Sequence, residues 1–166
     1  MPFSTFSSKI TSAKIYFADR IYFLFLHHSV FEIIYYQNSP IMARKKFTLE
    51  YIIRSSPSIL FEFVSQPDSL AQWFSDFCDA QDDIFIFGWN GSFQRARQVD
   101  LIEEESVKYH WEHGNKEEYF SFRVYKSEIA NDTILEISDF ADAKEVKEQS
   151  FLWDKQIEDL KHAIGA

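Results

Sequence analysis

The stretch that decides the fold is VKEQSFLWDKQIEDLKHAI, residues 146–164 near the end of the chain. Its apolar residues fall on one stripe of a helix: Val146, Trp153, Ile157, Leu160 and Ile164. Lys, Glu and Asp occupy the opposite side. Such a helix is about 27 Å long, because each residue adds about 1.5 Å. An amphipathic helix of this length is expected to cover one face of a sheet.

The residues before this helix alternate as β-strands do. Phe47, Leu49, Tyr51 and Ile53 alternate with mostly polar residues, which predicts a half-buried first strand. The pattern recurs at residues 84–87, 92–102, 107–111, 119–125 and 135–138. Asn90-Gly91 is a strong hairpin signal between two of these segments. The pattern therefore predicts an antiparallel meander of about six to seven strands.

Two short helices are predicted after the first strand. Ser56-Pro57 provides a capping hydroxyl and a proline for the first turn. A second helix is predicted to begin at Pro67, because apolar residues then recur at helical spacing as far as Phe77. The predicted fold class is α+β, with a curved antiparallel sheet wrapped on a long C-terminal helix.

Composition excludes several classes of protein. The net charge is −9, and no basic run is longer than Arg44–Lys46, so nucleic acid and anionic membranes are not expected partners. The single Cys78 excludes a disulfide scaffold and indicates a reducing compartment, so we expect a cytoplasmic protein. Aromatic residues make up 18% of the chain, and they must either fill a core or line a pocket.

Residues 1–41 differ from the rest of the chain. Their apolar clumps are interrupted by His27-His28-Ser29, which is too broken for a membrane span of roughly 20 apolar residues. A signal peptide is a second interpretation, but no small-x-small cleavage site follows His28. We favour a third, in which translation starts at Met42. The predicted organisation is a poorly packed leader, 1–41, followed by one domain, 42–166.

Four separated segments carry a resemblance to a known family. They are Ser56–Phe61, Pro67–Phe74, Tyr109–Trp111 and Trp153–Lys161. In this order they resemble the helix-grip fold of the START-like superfamily, also called SRPBCC. The branch is similar to activators of the heat-shock ATPase chaperone and to polyketide-cyclase-like proteins. The chain departs from that branch at residues 79–83, where an acidic segment replaces a glycine-rich turn.

The resemblance implies a cavity between the long helix and the sheet that holds an apolar ligand. Candidate lining residues are Trp73, Phe74, Trp89, Trp111, Phe120, Phe122, Trp153 and Ile157. An aromatic wall with single N–H donors suits such a pocket, but the same residues could simply pack the core. Both interpretations remain open from the sequence.

Polar candidates are fewer. Arg95 and Arg97 share one face of a strand and could anchor a carboxylate, although we favour a solvated edge. His110 and His113 point to opposite faces of a strand, so we predict no metal site. No nucleophile, phosphate-binding or metalloprotease motif is present, and no cofactor is expected.

The function predicted is non-enzymatic binding of an apolar, lipid-like molecule between the C-terminal helix and the sheet. The alternative is a partner-docking module similar to chaperone ATPase activators, which would use its acidic exterior. A cyclase-like enzyme is a third hypothesis. The fold alone does not decide between them.

Overall fold

A seven-stranded antiparallel sheet forms the body of the protein, and the computed structural model describes residues 44–166. The strands are β1 (Lys45–Ile53), β2 (Phe77–Gln81), β3 (Ile84–Trp89), β4 (Ser92–Ile102), β5 (Ser106–Trp111), β6 (Phe120–Lys126) and β7 (Thr133–Ala141). The helices are α1 (Pro57–Ser65), α2 (Pro67–Leu70) and α3 (Val146–Ile164). The predicted leader, residues 1–41, lies outside the described residues.

The strand order is β1-β7-β6-β5-β4-β3-β2, so each strand from β2 to β7 pairs with its neighbour in sequence. The first strand joins the far edge beside β7. Successive side chains of each strand point to opposite sides, so the sheet has two faces. The inner face carries Phe122 and contacts α3, and we call the opposite side the outer face. This architecture confirms the predicted fold class.

Helix α3 covers the inner face with its apolar stripe. Trp153, Gln156, Ile157 and Leu160 are its buried residues. The Tyr51 hydroxyl donates a hydrogen bond to Asp154 Oδ1 at 2.8 Å, which ties α3 to β1. The helix ends at Gly165, whose φ of 80° is the left-handed conformation that favours glycine.

The turn at Asn90-Gly91 and the end of α2 bear on two of the local predictions. The hairpin at Asn90-Gly91 is confirmed, with φ values of 48° and 81° between paired Trp89 and Ser92. The second helix begins at Pro67 as predicted but ends at Leu70, so its extension to Phe77 was wrong. The N–H groups of Trp73, Phe74 and Ser75 all point to the Leu70 carbonyl, and the chain then turns into β2.

The strand β2 was not among the predicted segments. Its sequence, FCDAQ, includes two outward-facing polar residues, Asp79 and Gln81, and among the described strands it pairs only with β3. Within residues 44–166, no helix is both long and apolar enough to cross a membrane.

Candidate functional site

The inner face holds one contiguous aromatic cluster. It comprises Trp73, Phe74, Phe87, Trp89, Tyr109, Trp111, Phe120, Phe122 and Trp153. The distances between the centroids of contacting rings range from 4.8 Å, for Trp111 and Phe120, to 6.4 Å, for Tyr109 and Phe122. The structure therefore brings together every aromatic residue that the sequence analysis selected, and Ile157 is buried in the same core.

Phe74 lies at the centre of the cluster. Its ring stacks on Trp153 at 5.9 Å and on Phe120 at 5.5 Å, so it joins α3 to the sheet. Both Phe74 and Trp153 are fully buried. A ligand beneath α3 would have to displace one of these rings.

The indole N–H groups are bound within the protein. Trp73 Nε1 donates to the Phe63 carbonyl at 2.8 Å, and Trp89 Nε1 donates to the Phe74 carbonyl at 2.9 Å. Trp153 Nε1 donates to Asp139 Oδ2 at 3.0 Å. These bonds satisfy donors that would otherwise be costly to bury.

Asp139 is a buried carboxylate at the edge of this cluster. Besides Trp153, it accepts hydrogen bonds from the Phe140 backbone N–H at 2.7 Å and from Gln149 Nε2 at 3.2 Å. Burial raises the pKa of Asp139, and the hydrogen bonds and the Arg44 charge oppose that rise. Sequence analysis missed this residue, although it shares the inner-face alternation of Leu135 and Ile137.

Gln156 carries a buried acceptor without a partner. Its Nε2 donates to the Phe74 carbonyl at 3.3 Å, while Oε1 makes no hydrogen bond to the described part of the chain. Flipping the amide would set two oxygens against each other, so the orientation is determined. This oxygen can accept a hydrogen bond from a buried water or a small donor.

Arg95 and Arg97, the two candidate polar anchors, do not lie in the aromatic cluster. Arg95 and Arg97 flank the buried Ala96 on β4, so both point from the outer face, away from α3. Arg95 pairs with Glu112 at 3.4 Å, and Arg97 pairs with Asp83. The structure therefore does not bring them to the aromatic cluster.

A cleft of about 580 Å³ opens beside the cluster, between α1 and the inner face of β2, β3 and β4. The lining residues are Ser58, Phe61, Glu62, Ser65, Gln66, Pro67, Ala80, Asp82, Phe85, Gln98, Leu101, Glu103 and Glu104. None of them belongs to α3. The cleft is thus a different place from the predicted cavity.

The floor of the cleft is apolar. Phe61 and Phe85 are almost fully buried in it, whereas Leu101 is 51% exposed. The Phe85 ring lies 5.0 Å from the Tyr109 ring, so the floor continues into the aromatic cluster. The Tyr109 hydroxyl lies 3.3 Å from the Val64 carbonyl, its hydrogen-bond acceptor, and thereby fixes the end of α1 against β5.

Four carboxylates border this apolar floor, and we call them the acidic rim: Glu62, Asp82, Glu103 and Glu104. No Lys, Arg or His occurs among the described residues that line the cleft. The sequence shows an acidic segment at residues 79–83, but it contains no signal that this segment and the turn after β4 would border one cleft.

The family match agrees with this architecture. Residues 41–166 match the sequence profile of a START-like superfamily domain. None of the curated proteins compared with the chain matches it in sequence.

Several solved structures share the fold. The Aha1 dimer from Colwellia psychrerythraea is 17% identical, with a TM-score of 0.60 over 72% of this chain and 96% of that one. DynU16, a protein in the dynemicin biosynthetic locus, is 15% identical, with a TM-score of 0.62 over 73% and 47%. Protein SA2116 from Staphylococcus aureus is 14% identical, with a TM-score of 0.57 over 74% and 94%.

At such low identity these similarities establish the fold alone. The match to the START-like sequence profile establishes more than the fold. It extends over most of the chain and includes every described strand and helix. The chain therefore belongs to the START-like superfamily.

Proposed function

We propose that this protein is a non-enzymatic module that binds an apolar small molecule in the cleft beside α1. The observation that carries this proposal is the cleft itself, with about 580 Å³ of space over Phe61, Phe85 and Leu101. Small-molecule sites typically occupy about 300–1,000 Å³ and have mainly apolar walls. The volume of the cleft falls within that range, and its floor of Phe61, Phe85 and Leu101 is apolar, whereas its border is polar.

The position beneath α3, where the sequence analysis placed the ligand, is less favourable in this conformation. Phe74, Phe122 and Trp153 contact one another there and are fully buried. Opening a space would break aromatic contacts worth about 0.5–1.5 kcal/mol per pair beyond the burial itself. We therefore place the ligand in the cleft and regard the aromatic cluster as its rigid support.

The chemistry of two buried groups supports a binding role. Burial raises the pKa of the Cys78 thiol to about 12 and also raises the pKa of the Tyr109 hydroxyl. Both groups are therefore protonated at neutral pH and are poor nucleophiles or bases.

Leu101 and Ile102 provide a matched test. They are neighbours on β4 with exposures of 51% and 49%, but only Leu101 lines the cleft. In titrations with Nile red, a neutral apolar dye, we expect Leu101→Ser to weaken binding roughly tenfold, because a buried leucine contact contributes about 1.5 kcal/mol. Ile102→Ser should leave the affinity unchanged. Native mass spectrometry of the purified protein would identify a co-purified ligand.

The same titration discriminates between the two positions. Equal affinities for the Leu101 and Ile102 variants would contradict binding in the cleft. If the affinity fell only for Phe122→Leu, the ligand would lie beneath α3, as the sequence analysis predicted.

A second candidate function is docking of a protein partner, and one surface feature favours it. Phe77 and Phe93 are 45% and 61% exposed on the outer face, with ring centroids 5.7 Å apart. They meet over Gly88, where an added Cβ would lie 2.8 Å from the Phe93 ring. The test compares the capture of a protein partner by immobilised wild-type protein and by the immobilised Phe93→Ser variant. We expect the wild-type protein to hold the partner stably and the variant not to bind it. Identical binding by both proteins would contradict docking at this surface.

A further inference from the structure

We infer that a second copy of this chain binds along β1, with the two β1 strands antiparallel. Among the described strands β1 pairs only with β7, and we call its side away from β7 the β1 edge. The strand has nine residues, whereas β2 at the opposite end of the sheet has five. Backbone N–H and C=O groups on an edge strand are a template for another strand. None of the described residues that line the cleft belongs to β1, so this interface leaves the cleft accessible.

The apolar residues on the inner face of β1 are incompletely covered. Phe47, Leu49 and Tyr51 are half-buried. Ile137 of β7 lies opposite Leu49 and is fully buried. Leu135 of β7, opposite Tyr51, is also fully buried. A strand added at the β1 edge would remove the remaining apolar surface of β1 from water, which favours association.

The outer face of β1 has an independent feature, a carboxylate that lies opposite another carboxylate. Glu50 is paired in register with Glu136 of β7, and like charges directly opposite each other destabilise an antiparallel pair. On its other side Glu136 lies opposite Arg123 of β6, whereas no basic residue of the described strands lies opposite Glu50. The Tyr125 hydroxyl donates a hydrogen bond to Glu50 at 3.0 Å but carries no positive charge. A cation at the β1 edge would complete this row of charges.

The second copy supplies that cation from its own β1. When both inner faces lie on the same side, the register centred on Thr48 places Lys46 of each copy opposite Glu50 of the other. The same register places Phe47 opposite Leu49 of the second copy on the inner face. A register centred on Glu50 would instead set the two Glu50 carboxylates against each other. The sequence of β1 therefore complements itself in one register.

The side chain of Lys46 is available for this contact. Its Nζ lies 5.5 Å from the centroid of the Tyr119 ring, and Lys108 Nζ lies 4.9 Å from the centroid of the same ring. The ring therefore keeps a cation when the flexible Lys46 side chain turns toward the β1 edge. A lysine on an edge strand commonly prevents strand addition. In the register centred on Thr48, however, Lys46 meets a carboxylate and not a second lysine.

Helix α3 adds an exposed aromatic residue beside β1. Asp154 of α3 accepts the hydrogen bond from the Tyr51 hydroxyl, so this part of the helix lies next to β1. Phe151 precedes Asp154 by three residues and therefore lies on the same side of the helix. Its side chain is 58% exposed. We include Phe151 in the interface, because a second copy on β1 would approach this ring.

Charge reversals on β1 test the interface in the full chain. Sedimentation equilibrium of the wild type should show a species of twice the chain mass. Salt of 0.15 M suits the measurement, because it screens the net charge of −9 on each copy beyond about 8 Å. Lys46→Glu and Glu50→Lys should each weaken dimerisation at least about tenfold, because two opposite-charge pairs become like-charge pairs.

Combining the two reversals makes the test specific for the register. The double variant Lys46→Glu/Glu50→Lys restores both opposite-charge pairs, so its dimer should dissociate within about threefold of the wild-type constant. An equal mixture of the two single variants should form a heterodimer for the same reason. Lys108→Glu is the matched control, because it makes the same charge change and also removes a lysine from the Tyr119 ring, but on the central strand β5. It should leave dimerisation unchanged.

Three results would overturn the inference. The first is a wild-type chain that remains monomeric over a hundredfold range of protein concentration. The second is a dimer that both single variants retain, which would place the contact away from β1. The third is failure of both the double variant and the mixture to dimerise, with circular dichroism showing that each variant is folded.

Discussion

Cys78 illustrates how burial controls the chemistry of a single residue. It lies on the inner side of β2 with 8% of its surface exposed. Burial, together with the charges of Asp79 and Asp68, raises the pKa of its thiol to about 12, well above the ordinary value for cysteine. Because the thiolate is the reactive form, alkylation by iodoacetamide at pH 8 should be at least about 100-fold slower in the folded protein than in guanidinium. Similar rates in the two states would contradict this environment.

The buried carboxyl of Asp139 makes the free energy of unfolding depend on pH. Its pKa is raised on folding, chiefly by burial, so the native state holds the proton more tightly than the unfolded state. Its contribution to the free energy of unfolding is therefore largest below the ordinary carboxyl pKa and decreases as pH rises through the raised value. Urea denaturation of wild type and Asp139→Asn from pH 4 to 7 measures this contribution. The stability of wild type relative to the variant should fall with rising pH, and a constant or rising difference would contradict the assignment.

Strand β6 provides the test at the scale of elements. Phe122 is fully buried and its ring contacts both Trp73 and Trp153, so it joins the sheet to α3. Phe122→Ala should lower the free energy of unfolding by about 3–5 kcal/mol, the usual cost of truncating a buried phenylalanine. Phe93→Ala, on the outer face, should cost less than about 1.5 kcal/mol, because Phe93 is 61% exposed. Equal losses, measured by denaturant titration, would contradict the assignment of inner and outer faces.

The predictability of an element depends on how local its signal is. The hairpin at Asn90-Gly91 is predictable, since both residues tolerate left-handed backbone. The strand β2 is not, because its polar sequence becomes a strand only through pairing with β3. The same distinction applies to the second helix, whose apolar spacing continues to Phe77 although the backbone leaves the helix after Leu70.

The candidate site also has a part that local sequence patterns predict and a part that they do not. Aromatic members of the cluster are predictable, because bulky residues on the inner face of a sheet must meet beneath a long helix. The cleft is not, because it depends on two turns distant in sequence. The pairing of Ile84 with Arg97, and the hydrogen bond from the Gln98 N–H to the Asp83 carbonyl at 2.7 Å, bring the turn of Asp82 beside the end of β4. Such proximity follows from strand register, which local patterns do not specify.

At the scale of the whole molecule, the inner face has two halves with different properties. Beneath α3 it is closed by stacked aromatic rings, and beneath α1 it remains open as the cleft. Phe85 and Tyr109, in contact at 5.0 Å, join the two halves. The rigid half therefore holds the strands that shape the open half.

The final prediction concerns which part of the chain is needed to fold. The core cluster is built from α1, the turn after α2, the strands and α3, and residues 41–166 match the family profile. We therefore expect a chain that starts at Met42 to unfold in one cooperative transition, within about 1 kcal/mol of the full chain, because the core described for residues 44–166 remains complete. Denaturant titration of both chains measures this difference. A truncated chain that aggregated, or that lost several kcal/mol, would show that residues 1–41 complete the core, and intact mass spectrometry of the native protein would independently establish whether its N-terminus is Met1 or Met42.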